Sequence, residues 1–185
     1  LVTPSDPVRE ALDLGRMTRK LKLADVSARD FRNALGSFAT GVTIVTCAGA
    51  QPGDYIGITA NSFASVSLDP PLVLFSVGRQ SRSLAAFQAA RHVAVNVLSR
   101  NQLALCRRFA RSASDKWSGI DFELWDHGCP IFPGSVASFE CGIQAMHEGG
   151  DHIILVGHVE HMATDPAAEP LLFLKGAYGH FQAGD

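Results

Sequence analysis

The sequence predicts a mainly β, α+β domain whose antiparallel strands close into a barrel with a few flanking helices. Three observations carry this. Several segments are rich in β-branched and apolar residues, such as "GVTIVTC" and "HVAVNVL". Short turns such as "AGAQPGD" and "EGGD" join them, which favours antiparallel pairing. About seven strands are expected against three helices, and closure is the natural way to remove exposed edges.

In chain order, Ser27 and Asp30 resemble a capping box, with Asp in place of Glu or Gln. Phe31, Ala34, Leu35 and Phe38 then follow helical spacing, predicting a short amphipathic helix over 28–38. Gly41 follows its end, and 41–47 is a strand. A turn over 48–54 leads to a strand at 55–62 that pairs back. The Pro70-Pro71 pair introduces a third strand over 72–77. A helix with a serine cap is expected at 83–90, a strand at 92–98, and a helix capped by Asn101 at 101–110. After a loop holding Trp117 and Trp125 come two long strands, 135–147 and 152–163, joined by the turn 148–151. A last single strand lies within 171–181, beside a glycine-flanked Tyr178.

The chain has 185 residues, 46% hydrophobic and 18% charged, enough for one domain with a substantial core. Residues 1–26 mix Pro, Asp, Arg and Lys and read as an N-terminal extension, with Met17 an alternative start and 27–185 the folded domain. The net charge of −2 offers no basic field for nucleic acid. No uninterrupted apolar run is long enough to span a membrane. Cys47, Cys106, Cys129 and Cys141 form no C-x-x-C pair, which speaks against zinc or dithiol chemistry and fits a reducing cytoplasm. The low charge fraction leaves room for apolar surface covered by a second subunit.

"GSFATGVT" has the glycine spacing of a phosphate loop, but Val42 stands where Lys is required, and no G-x-G-x-x-G follows a strand. No Ser sits in G-x-S-x-G. His147, His158 and His161 invite a metal reading. On a strand of period two, however, His152 and His158 share a face while His161 points away, so no metal site is expected.

The stretch "GITANSFASVSLDPPLVLFSVGRQSRS" puts hydroxyls and amides on both sides of a core strand. Thr59, Asn61 and Ser62 have the chemistry to meet a flavin ring edge and ribityl chain. Ser81, Arg82 and Ser83, at a helix start, suit a phosphate. The plainer reading is solvated hydroxyls on an edge strand and an ordinary helix cap. Asp151-His152 opens a strand and could orient a ligand or be a solvated turn pair. Arg108-Phe109, late in a helix, reads as one exposed and one buried side chain.

In order, "FRNALGSFATGVTIVT", "GITANSFASVSLDPPLVLFSV", "SRS", "VNVL", "GGDHIILVGHVE" and "LLFLKGAYG" resemble the flavin reductase components of two-component flavin-dependent monooxygenases. The resemblance runs from Phe31 to Phe181. It implies an FMN-binding split β-barrel, an antiparallel Greek-key-like barrel that forms homodimers. It implies reduction of FMN or FAD by NADH or NADPH, with hydride passing from nicotinamide to flavin N5. The reduced flavin then diffuses to a separate oxygenase component.

By position, Thr59, Ala60, Asn61 and Ser62 would line the ring and ribityl, and Ser76, Val77 and Gly78 would lie along them. Ser81, Arg82 and Ser83 would hold the phosphate, Arg108 and Phe109 would meet the flavin tail or phosphate, and His152 and Tyr178 would lie near the nicotinamide. No catalytic acid or base is required, because flavin carries the reactivity. Flavin that must leave should bind in the micromolar range, ~8 kcal/mol. A flavoprotein oxidase of related architecture and a non-catalytic flavin-binding protein are the alternatives.

Overall fold

The computed structural model describes residues 20–112 and 115–182. Most of the segment 1–26, Met17 included, lies outside these residues. The chain divides into two compact units, Leu1–Leu35 and Gly36–Asp185. In the first, helix α1 (Ala28–Leu35) begins where the sequence places it. Ser27 Oγ accepts the Asp30 backbone N–H at 3.1 Å and donates to the Asp30 carboxylate at 2.7 Å, so the Asp version of the capping box forms. The helix ends three residues early, and Phe38 falls outside it.

The second unit is built on a seven-stranded sheet. Its strands are β2 (Thr43–Ala48), β3 (Tyr55–Ala60), β4 (Ala64–Leu68), β5 (Pro71–Gly78), β6 (His92–Val97), β9 (Ala137–Gly149) and β10 (His152–Thr164). They are ordered β3-β2-β6-β9-β10-β5-β4, and every pairing is antiparallel. The sheet curls until β3 lies back against β5. There Ser62 Oγ accepts the Ser76 backbone N–H at 2.9 Å, a side chain standing in for a strand partner. The barrel is thus closed around its girth except for a seam between the ends of β3 and β5.

Strand alternation explains the core. On β5, Val73, Phe75 and Val77 are buried while their neighbours are half-buried. They meet Val45, Cys47, Val93, Val95, Ile153 and Leu155 inside the barrel, with Phe87 of helix α2 (Leu84–Ala89) as a plug. Burying one such phenylalanine contributes about 1.5–3 kcal/mol. β2 is buried on both faces because its other side, Ile44 with the preceding Val42, packs under helix α3 (Leu103–Phe109) through Cys106 and Phe109.

Asn96 of the "VNVL" motif is fully buried and clips three elements together. Its amide donates to the Ile44 and Pro130 carbonyls, and its carbonyl accepts from the Phe132 N–H and the Ser138 hydroxyl.

Several expectations are corrected. β4 was not anticipated. It is an edge strand whose residues are mostly exposed on both faces, so it carries no alternation signal. The last segment forms a hairpin rather than one strand: β11 (Leu172–Leu174) and β12 (Ala177–Gly179) pair with each other, and β11 with the short β1 (Thr40–Gly41). Lys175 and Gly176 both take positive φ, 50° and 81°, which makes the turn. A further short pair, β7 (Glu123–Leu124) and β8 (Pro130–Ile131), lies in the tryptophan loop. Asn101 does not cap α3. A 3₁₀ turn over Arg100–Gln102 precedes that helix, closed by a capping box of Ser99 and Gln102. Ser83 occupies the cap position of α2, but its side chain makes no cap bond.

Candidate functional site

The seam opens into a cavity of 360 Å³, within the range of small-molecule sites. β3 and the residues after it supply Ile58, Thr59, Ala60, Asn61 and Ser62. β5 supplies Ser76, Val77 and Gly78, and the turn into α2 supplies Ser81, Arg82 and Ser83. Phe109 closes α3 beside them, and His152 opens β10 across from Gly78. The residues that the sequence places around a ligand therefore converge on one space, Arg108 and Tyr178 excepted.

Some of these side chains hold the scaffold. Thr59 Oγ1 donates to the Cys106 carbonyl at 2.7 Å and ties β3 to α3. Ser81 Oγ accepts the Ser83 N–H at 3.3 Å and shapes the turn. α2 is six residues long, so an anion there is held by the serines and the Arg82 guanidinium rather than by a strong helix dipole.

Arg108 is not on the cavity wall. Its guanidinium donates to the Ser118 carbonyl and fixes the loop after α3. Arg111, Ser112 and Lys116 line the cavity instead. Lys116 Nζ donates to the Phe109 and Gly57 carbonyls at 3.0 and 3.2 Å, and burial lowers its pKa. Sequence reasoning missed these three because they stand in an irregular segment without periodicity. The cavity wall thus carries Arg82, Arg111 and Lys116 and, among its described residues, no carboxylate. That field suits an anionic ligand.

Tyr178 lines a smaller, adjoining cavity of 120 Å³ with Val42, Thr59, Asn61 and Phe173. Its hydroxyl lies 3.5 Å from Cys106 Sγ, and that contact together with burial pushes its pKa up to about 12. The two cavities share Thr59 and Asn61.

His152 Nδ1 lies 2.7 Å from Asp151 Oδ1, which lowers the Asp151 pKa. The other ring nitrogen faces Gly78, where an added Cβ would stand 3.6 Å from it. The turn that presents this pair is held by Arg79. Its Nε donates to the Gly150 carbonyl at 2.9 Å, its backbone N–H to the Asp151 carbonyl at 2.9 Å, and its guanidinium pairs with Glu148.

An extended anion with a planar, polar-edged ring fits these walls: three cations for phosphate, short hydroxyls and an amide for a polyol and ring edge, and one imidazole at the rim. Comparison with known proteins gives the family. The profile described as "Flavin reductase like domain" matches residues 35–182. The chain is 48% identical over 155 residues to the FMN reductase (NADH) SmoA of Agrobacterium fabrum, covering 84% of this chain and 87% of that one. It is 40% identical over 157 residues to the flavin-dependent monooxygenase reductase subunit HsaB of Mycobacterium tuberculosis, covering 84% and 83%. Among solved structures it is similar to the Streptomyces globisporus NADH:FAD oxidoreductase SgcE6 in complex with NAD and FAD fragments. The TM-score is 0.82 at 38% identity, over 89% of this chain and 98% of that one.

Proposed function

The chain belongs to the flavin reductase-like family, and from that premise we propose how its seam cavity reduces flavin with NADH. The protein is a flavin reductase of split-barrel fold that uses FMN or FAD with NADH and supplies reduced flavin to a separate monooxygenase component. The observation that carries the site assignment is the cavity itself: three cations and, among the described residues, no carboxylate at the seam, with His152 on its rim.

Arg82, Ser81 and Ser83 hold the flavin phosphate, with Arg111 and Lys116 adding positive field. Asn61, Ala60 and the Ser76–Gly78 backbone align the ring and ribityl chain. His152 and the Tyr178 cavity receive the nicotinamide. When bound, flavin supplies the redox chemistry, accepting hydride at N5. The protein's part is to stack two rings in near-attack geometry and exclude water, so no protein acid or base is needed. Binding in the micromolar range, ~8 kcal/mol, lets the product leave.

A homodimer completes the assembly. Val66 and Leu68 on edge strand β4 are 48% and 94% exposed, apolar groups on an unpaired edge that a second copy would cover. NADH is preferred to NADPH, and four buried free thiols suit a reducing cytoplasm. Flavin titration of the dialysed protein, with sedimentation in parallel, tests these points. Saturable micromolar binding by a dimer is expected. Flavin that survives dialysis would turn the reading toward a permanent flavoprotein.

A further inference from the structure

A second constellation lies away from the seam cavity, where β6, the loop before β8, β9 and β10 meet. His92 begins β6 and His127 sits in that loop. Glu140 is on β9, and Glu160 and His161 are on β10. The Glu160 carboxylate lies 2.8 Å from His127 Nε2 and 3.7 Å from His92 Nε2. The two imidazoles stack with centroids 3.8 Å apart. One ligand atom from each of the three residues falls within 4.8 Å of the others.

We propose that His92, His127 and Glu160 bind a late first-row divalent cation of the zinc type.

Three features show that this place is built rather than accidental. First, β10 carries a bulge between Val159 and His161. Glu160 is the extra residue, so it leaves the period-two pattern and turns toward the histidines. Bulges re-aim side chains in this way. The same bulge brings His161 beside Glu140, which a strict alternation from His152 does not foresee.

Second, Gly142 lies opposite His92 on β9, and its missing side chain is what the carboxylate needs. A Cβ there would stand 2.7 Å from Glu160 Oε1. The glycine is a cradle through which Glu160 reaches across β9.

Third, the outer partners are in place. Glu140 is fully buried. Its Oε1 accepts the His127 backbone N–H at 3.1 Å and its Oε2 meets His161 Nδ1 at 3.3 Å, while His161 Nε2 stands 3.5 Å from Asp126. The buried carboxylate therefore anchors the loop that carries His127. Three carboxylates converge here with three imidazoles, a charge balance that a dication improves.

The chemistry selects the ion. Two imidazoles and one carboxylate with an open fourth position form a known zinc donor set, and oxygen-loving Mg²⁺ would not choose it. Bonds of 2.0–2.1 Å in tetrahedral array put ligand atoms roughly 3.3–3.4 Å apart. The observed 2.8 and 3.7 Å bracket that spacing. Coordination requires the two rings to splay from their parallel stack. Side chains about one-third exposed, 31% and 32%, have room for it. Access is through a cavity of 690 Å³ lined by both histidines, the alanine face of α2, Arg91 and Arg82, the last of which also reaches the seam cavity.

The test uses the tag-free full chain, treated with chelator and titrated with Co²⁺ as a spectroscopic probe and with Zn²⁺ by calorimetry. Equimolar binding is expected, with visible Co²⁺ absorption, and a Tm that rises with Zn²⁺ but not with Mg²⁺. Glu160→Gln and His127→Asn should abolish the Co²⁺ spectrum. His161→Asn should weaken affinity far less than the ligand substitutions, because His161 bonds Glu140 and Asp126 and none of the three ligands. Gly142→Ala keeps every ligand and should weaken the metal without abolishing it, because the added Cβ displaces the Glu160 carboxylate tip. Metal-free NADH oxidation should be unchanged in Glu160→Gln, which separates this site from the flavin site. Absence of binding, or binding undiminished in both Glu160→Gln and His127→Asn, would overturn the proposal. If one variant does not fold, the other, read alone, decides.

Discussion

Ser62 Oγ accepts the backbone N–H of Ser76 at 2.9 Å, so one hydroxyl ties the residues after β3 to β5 where the seam cavity opens. Both residues line that cavity, and the bond couples barrel closure to the shape of the site. Ser62→Ala should cost about 0.5–1.5 kcal/mol of stability, the net worth of one hydrogen bond. Flavin affinity should fall with it. Thermal unfolding and flavin titration on the same sample check this, and an unchanged Kd would detach the seam from the site.

Arg82→Ala should raise both the Kd and the apparent KM for flavin. A charge-assisted hydrogen bond is worth about 1.5–3 kcal/mol, or roughly 10–100-fold. Arg111→Ala should act the same way more weakly, since Arg111 stands on the loop after α3 and not beside Ser81 and Ser83. Arg108→Ala should leave flavin affinity close to wild type, because its guanidinium faces Ser118. Equal losses for Arg82→Ala and Arg108→Ala would overturn the placement of the phosphate.

His152→Ala should impair NADH use more than flavin binding. Arg79→Ala should give a milder version of the same defect, because Arg79 holds the turn that presents His152. Steady-state kinetics with each substrate varied in turn separate the effects. Equal loss for NADH and flavin would make His152 a structural residue.

Gly57 lies under Phe109: a Cβ there would stand 2.5 Å from the Phe109 ring and 3.2 Å from Trp117. Gly57→Val should overpack this wall and cost about 1–3 kcal/mol. It should also displace Phe109, which lines the cavity, so flavin binding should weaken beyond what the Tm loss implies.

Burial pushes the thiols of Cys47, Cys129 and Cys141 up to about 12 from 9.0. A raised native value means stability that is intact below 9.0 and lost as pH rises toward about 12. The Tm should therefore fall across that alkaline window, and Cys47→Ala should fall less steeply. A slope unchanged by the substitution would contradict the burial effect.

Much of this was legible because the physics was local. β2, β5 and β6 are β-branched or apolar runs whose burial follows from composition. The polar residues flanking β5 left two readings open, ligand groups or solvated hydroxyls, and the fold brings them to one cavity. β4 was hidden because an edge strand exposed on both faces shows no alternation. The hairpin after Leu174 was hidden because Lys175, not Asn or Gly, takes the first positive φ. Ser99 and Gln102 spell a capping box two residues ahead of the cap that Asn101 offers. Lys116 and Arg111 join the site through an irregular loop, and the meeting of His92, His127 and Glu160 depends on a bulge. Neither leaves a periodic trace.

The central claim is that flavin is a diffusible substrate reduced by NADH at the seam cavity. The most direct measurement is loss of NADH absorbance by the dialysed protein, with and without added FMN or FAD. Turnover that is absent without flavin and saturates with added free flavin is the predicted result. Flavin binding without any NADH oxidation would contradict the account and leave a binding protein in its place.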